Sequence, residues 1–377
     1  MGRTRTKTRK ARPPTEPVKE ETSAAPAVPA LLEKAQELIV QCDWELARRF
    51  IERILERTPD NAEAKEMLGV VLLESGDLDA AKQTFEGLLV ASKNASQTPP
   101  PAVHLYLAQL SDDPQLALQH YRAAVDILTA QLKGKERASD AANPDEDDAE
   151  TRRTIVRALI GQVEIWMDPS YDLCFDPAAE KTCEDLLAAA LQVDPNNTEA
   201  MQTLASVRMS QQRPDDAKDI LEKAWSMWKD YEADDNRLPP IPSRLSLTKL
   251  FLELSLYTPA LLVLQGIMAA DDEDVEAWYL EGWCFFMMAE QAHETGGKLD
   301  DLAWDYLARD ARDCLETCQT LHKNQGHPDI PLLEHVNELI NKLDELGIKP
   351  SPEEDGGDEE GWEDIEGSDD EEDVEMA

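Results

Sequence analysis

The chain has 377 residues, 31% charged and 6% aromatic, and its 78 Asp and Glu outweigh 37 Lys and Arg to leave a formal net charge of −41. So acidic a polymer repels nucleic acid and anionic membrane and attracts basic protein, at a rate that falls with salt. No apolar run approaches the roughly 18 residues that a bilayer crossing needs, and the basic N-terminus lacks an apolar leader, so a soluble, intracellular chain with no membrane attachment is expected.

Residues 1–29 are poor in large apolar side chains and rich in Pro, Thr and Ala, and a disordered basic segment is expected there. Arg3, Arg5, Lys7, Arg9, Lys10 and Arg12 cluster within it. The cluster suits an import receptor or a basic tether, so both cytoplasm and nucleus are expected locations.

The stretch 62–89 reads as two amphipathic helices joined by the turn Ser75-Gly76-Asp77. Gly69 and Ala81 are the small residues that let the two backbones approach, while Leu72, Phe85 and Leu88 supply apolar area. The same positions recur 34 residues upstream as Ala35, Leu38, Ala47 and Ile51, with Pro59 closing the unit. That period, with small residues facing across a helical hairpin, resembles the tetratricopeptide repeat. One hairpin leaves an apolar side open until another stacks on it, so an all-α tetratricopeptide-repeat α-solenoid is expected over residues 30–349. Alternating Val/Ile/Thr runs are hard to find, which argues against strands.

A third hairpin follows the polar connection 91–101, with Leu107-Ala108 in one helix and Ala117, Tyr121 and Ala124 in the other. Residues 133–150, five of whose acids fall between Asp145 and Glu150, read as an exposed acidic loop. The fourth repeat spans helices near 159–166 and 178–191. Asp194-Pro195-Asn196-Asn197 then parallels Thr58-Pro59-Asp60-Asn61 and opens the fifth, which carries Ala205, Ala217, Leu221 and Ala224. A sixth hairpin covers 247–267, and an extended seventh begins at Trp278 and returns late over 302–321. A single helix over 331–346, ended by Gly347, is expected to cover the last apolar face. Residues 350–377 form an acidic tail, expected to be disordered, with fifteen acids and no base from 351 onward; it includes Glu359, Glu360, Trp362, Asp369, Asp370 and Glu371, and Ser368 is a candidate phosphosite.

No phosphate-binding glycine loop, nucleophile elbow or two-histidine zinc helix is present, so no enzyme activity and no cofactor is expected. Cys314, Cys318 and His322 share one helical face, but they offer only three ligands and Cys318 fills a packing position; they read as core, with no metal. The six cysteines, Cys42, Cys174, Cys183, Cys284, Cys314 and Cys318, read as reduced packing thiols. A groove lined by the first helices of the repeats is the expected site. Projecting the pattern places Glu63, Glu66, Met67 and Glu74 there from the second repeat, Tyr106 from the third, Trp166 from the fourth, Glu199 from the fifth, Glu253 from the sixth, and Glu276, Tyr279 and Trp283 from the seventh. Acid interleaved with aromatics suits an extended Lys/Arg-rich segment, because carboxylates take the charge and rings cover side-chain stems. Packing between helices is the competing role for each of these rings.

The basic N-terminus, the irregular acidic repeat array and the tail motif Gly361-Trp362-Glu363-Asp364-Ile365 within Asp/Glu runs together resemble the fungal assembly chaperones dedicated to ribosomal protein L-four of the large subunit. The resemblance implies a chaperone that covers the long basic internal loop of that protein and escorts it from cytoplasm to nucleus; a monomer is expected. It brings no catalytic residues. Two other readings share part of the pattern: an acidic scaffold or histone-type chaperone, and a heat-shock co-chaperone. The last needs Lys, Arg and Asn where the first helices here carry Glu, Gln, Met and aromatics.

Overall fold

The structure is a computed structural model that describes residues 27–351, apart from 96–97, 139–145 and 300. The described residues form fifteen α-helices in two compact units divided between Leu173 and Cys174. The basic cluster Arg3 to Arg12 and the acidic tail, with Ser368, lie outside the described residues.

In the first unit the helices pair in chain order: α1 (Val28–Val40) with α2 (Trp44–Arg57), α3 (Ala62–Glu74) with α4 (Leu78–Asn94), and α5 (Pro101–Gln109) with α6 (Pro114–Ala138). The expected repeat positions are the core. Ala35, Ala47, Ile51, Ala81 and Phe85 are fully buried, and burial of each large apolar side chain contributes about 1.5–3 kcal/mol. The small-residue rule takes a specific form here: a Cβ on Gly69 would lie 2.4 Å from Phe85 Cε1, so the glycine makes room for a ring. Gly161 is likewise covered by Tyr121, whose ring would lie 2.8 Å from an added Cβ.

Local chemistry sets the helix ends. Asp43, Asn61 and Asp77 accept hydrogen bonds from the backbone N–H groups of Leu46, Ala64 and Ala80, filling vacant donors of the first turn. The α3–α4 turn puts Gly76 at φ 81°, and Asp77 N–H donates to the Leu72 carbonyl at 2.9 Å. Cys42 takes the same left-handed place between α1 and α2 at φ 57°.

Among its described residues, the expected acidic loop is helix. α6 continues to Ala138 and α7 (Glu146–Met167) begins at Glu146, many residues ahead of the expected start near 159. Leu128 and Leu132 are buried and hold α6 in place. Asp147, Asp148 and Glu150 sit in the opening turns of α7, where carboxylates complement the helix dipole, and Lys135 bridges to Asp147 and to Asp148.

The second unit contains α8 (Ala179–Val193), α9 (Thr198–Ser210), α10 (Pro214–Ser226), α11 (Ile241–Glu253), α12 (Tyr257–Met268), α13 (Val275–Glu294), α14 (Trp304–Gln325) and α15 (Ile330–Glu345). The expected fourth hairpin is thus divided: α7 packs on α6 in the first unit and α8 packs on α9 in the second. Asn197 and Asp274 cap α9 and α13 through the N–H groups of Ala200 and Ala277, in nearly the backbone conformation of Asn61. Gln212 at φ 58° and Ser255 at φ 56° repeat the left-handed turn. The long hairpin α13–α14 closes Leu315 over Gly282 and is joined through an antiparallel pair of two-residue strands, β1 (Lys298–Leu299) and β2 (Leu302–Ala303). α15 packs on α14 and seats Val336, Leu339 and Leu343 in the common core, as expected of a covering helix.

Candidate functional site

The first unit carries an open groove of ≈690 Å³ between the inner faces of α1 and α3. Leu32, Val40 and Met67 form its apolar floor, and Glu33, Glu37 and Glu63 stand along it. Val40, the last residue of α1, is 77% exposed. Glu37 is shared with Lys34 at 2.7 Å, whereas Glu33 and Glu63 have no ion-pair partner among the described residues.

The acid continues along α3. Glu66 is half-buried, and burial, with Glu63 beside it, raises its carboxyl above the usual range. Tyr106 from α5 stacks on Phe85 with ring centroids 4.8 Å apart, which fixes the ring in place. Burial first, then the charges of Glu66 and Glu74, raise the pKa of the Tyr106 hydroxyl above its ordinary value. The predicted residues Glu63, Glu66, Met67, Glu74 and Tyr106 therefore share one surface. Across the α5–α6 hairpin, His104 and His120 place their Nδ1 atoms 3.0 Å apart, and burial lowers the pKa of both.

The remaining predicted residues separate. Trp166 is buried at 9% exposure and its indole N–H lies unpaired inside the fold, so it is a packing residue. In the second unit Glu199 and Glu253 are exposed, and Glu276 is neutralised by Lys249 at 2.5 Å. Tyr279 and Trp283 stack at 5.9 Å, but α15 meets them: Tyr279 Oη lies 2.8 Å from His335 Nδ1, and Trp283 meets the His335 ring edge-on at 5.8 Å. Burial, then Cys318, Asp329 and Glu276, push the Tyr279 hydroxyl up to about 12.

Cys314 donates to Glu281, Cys318 to the Val275 carbonyl, and His322 Nε2 pairs with the Asp329 carbonyl at 2.8 Å, so each is engaged in packing. Burial pushes the Cys183 thiol up to about 11 and those of Cys284 and Cys318 up to about 12, which keeps them un-ionised.

Glu33, Leu32 and Val40 line the groove and are residues that the forward projection omitted. They stand 34 residues before Met67, Glu66 and Glu74, so the same period run backwards finds them.

Helical hairpins in this register, with one acidic, apolar-floored face, define a tetratricopeptide-repeat binding protein. Models of the tetratricopeptide repeat match residues 32–96 and 184–227. A protein of Schizosaccharomyces pombe named "Probable assembly chaperone of rpl4" is 30% identical over 327 residues, covering 86% of this chain and 93% of its own. An Emericella nidulans protein of the same name is 36% identical over 209 residues, which is 53% of this chain and 54% of that one. The solved structure of the assembly chaperone of RpL4 (Acl4), residues 1–338, superposes with a TM-score of 0.63 at 30% identity, covering 72% of this chain and 100% of that one. The chain belongs to this family of rpl4 assembly chaperones.

Proposed function

We propose that this chain binds newly made rpl4, the ribosomal protein L-four of the large subunit, and shields a basic segment of it in the α1–α3–α5 groove. The observation that carries the site is a row of carboxylates, Glu33, Glu63, Glu66 and Glu74, without ion-pair partners among the described residues, beside exposed Val40 and the fixed ring of Tyr106. A Lys/Arg-rich segment meets charge along the row and lays its aliphatic stems on the floor. The binding role extends to escort: the client is held through its passage from cytoplasm to nucleus, with Arg3 to Arg12 offered to an import receptor. The chain works by holding and releasing, and carries out no reaction of its own.

Charge reversal tests the site. Replacing Glu63, Glu66 and Glu74 by Lys leaves the buried set Leu72, Ala81 and Phe85 intact, so helicity and melting stay near the parent's. Affinity for purified rpl4 is expected to fall at least tenfold, because each change turns attraction into repulsion on one confined surface. A folded triple variant that binds rpl4 as the parent does would refute this placement.

A further inference from the structure

Residues 3–12 contain six Lys or Arg and no acid, the densest basic run in the chain. The chain that follows them enters α1 at Val28, and Pro29, in the first turn of that helix, lines the acidic groove. A segment with the chemistry of the proposed client is therefore tethered at the rim of the client's own site.

We infer that the basic segment Arg3–Arg12 occupies the α1–α3 groove in the free protein as a pseudo-client, and that client binding displaces it. This rests on the reading of the groove given above. Charge complementarity is direct, since Glu33, Glu63, Glu66 and Glu74 lack ion-pair partners among the described residues. Reach is sufficient: 16 residues separate Arg12 from Pro29, and a linker of that length can span roughly 20–24 Å. Such tethering gives an effective local concentration on the order of millimolar, enough for a weak site to be filled. By contrast, the second unit's Glu276 already has Lys249 as its partner.

Two consequences follow. The pseudo-client screens the apolar floor while no client is present, and it sets a threshold that weakly basic proteins fail to pass. Loading of client also frees the basic cluster, so that cluster becomes available to other partners only on a loaded chaperone.

The test uses the full-length chain, a variant with Arg3, Arg5, Lys7, Arg9, Lys10 and Arg12 all replaced by Ala, and a chain ended at residue 350. A photo-crosslinking amino acid in place of Thr8 is expected to join residues 29–74, and rpl4 should suppress those crosslinks. Octa-arginine peptide serves as the binding probe, and the six-Ala variant should bind it about three- to ten-fold more tightly at low salt. The difference should vanish near 1 M salt, where screening removes the competitor's hold.

Crosslinks confined to residues 351–377, with the affinity gain lost in the chain ended at 350, would assign the basic segment to the acidic tail and overturn the inference. Unchanged octa-arginine affinity in the six-Ala variant would also overturn it. If that affinity still falls in the triple charge reversal, the groove reading stands without the pseudo-client. If the reversal has no effect, the groove reading fails first.

Discussion

Gly69 shows how a single hydrogen atom sets the spacing of a helical pair. Its missing Cβ is the space that Phe85 fills, and Tyr106 stacks on that same ring. Gly69→Ala is expected to cost about 1–3 kcal/mol through overpacking and to loosen Tyr106. Gly87, in α4, meets nothing within 4 Å of an added Cβ, so Gly87→Ala should stabilise by about 0.5–1 kcal/mol. Thermal melts of the two variants moving the same way would contradict this packing.

Glu66 carries a second residue-scale prediction. Burial raises its pKa in the free protein, and a client cation beside it favours the ionised form, so binding expels a proton whenever the free carboxyl holds one. Affinity should therefore fall as pH drops from about 7 through the raised value of Glu66, and Glu66→Gln should flatten that dependence while weakening binding at neutral pH. Titration calorimetry across pH measures both; an unflattened profile would remove Glu66 from the contact.

At the scale of elements, the hairpins were legible because their determinants are local and periodic. Small residues at Ala35, Gly69, Ala47 and Ala81 repeat every 34 positions, and Asn61 and Asn197 announce the same cap. The groove was half legible: the period that placed Glu63 and Met67 also places Pro29 and Glu33, but only the fold shows that α1 leaves them open. The acidic stretch that opens α7 misled because polarity alone reads as loop, while carboxylates at a helix start are favourable. Tyr279 and Trp283 match the repeat pattern, yet their surroundings depend on α15, more than 40 residues away, and no spacing rule encodes that contact.

α15 is accordingly an element whose loss the second unit should feel. Val336 is fully buried among residues of α13 and α14, and Val336→Asp would place an unpaired carboxylate there. We expect the helix to detach, with Trp283 fluorescence shifting to the red and a melting transition lowered by several degrees. An unshifted spectrum in the folded variant would show that α15 does not cover the aromatic pair.

Over the whole molecule, charge is distributed unevenly: residues 1–30 carry seven bases and three acids, whereas residues 351–377 carry fifteen acids and no base. With such a layout a basic client is drawn in at long range by the acidic excess, and the proposed groove would hold it at short range where desolvated groups and apolar floor coincide. In the proposed reading, attraction accounts for the rate and its salt dependence, and the groove of the first unit for the specific complex.

Hydrogen exchange read by mass spectrometry, on the full-length chain with and without bound rpl4, separates these roles most directly. Slower exchange on binding is predicted for α1, α3 and α5, centred on 29–40, 62–74 and 101–109, with α2 and α4 little changed. Protection of α2 and α4 with α1 and α3 unaffected would place the client on the opposite face and contradict the account.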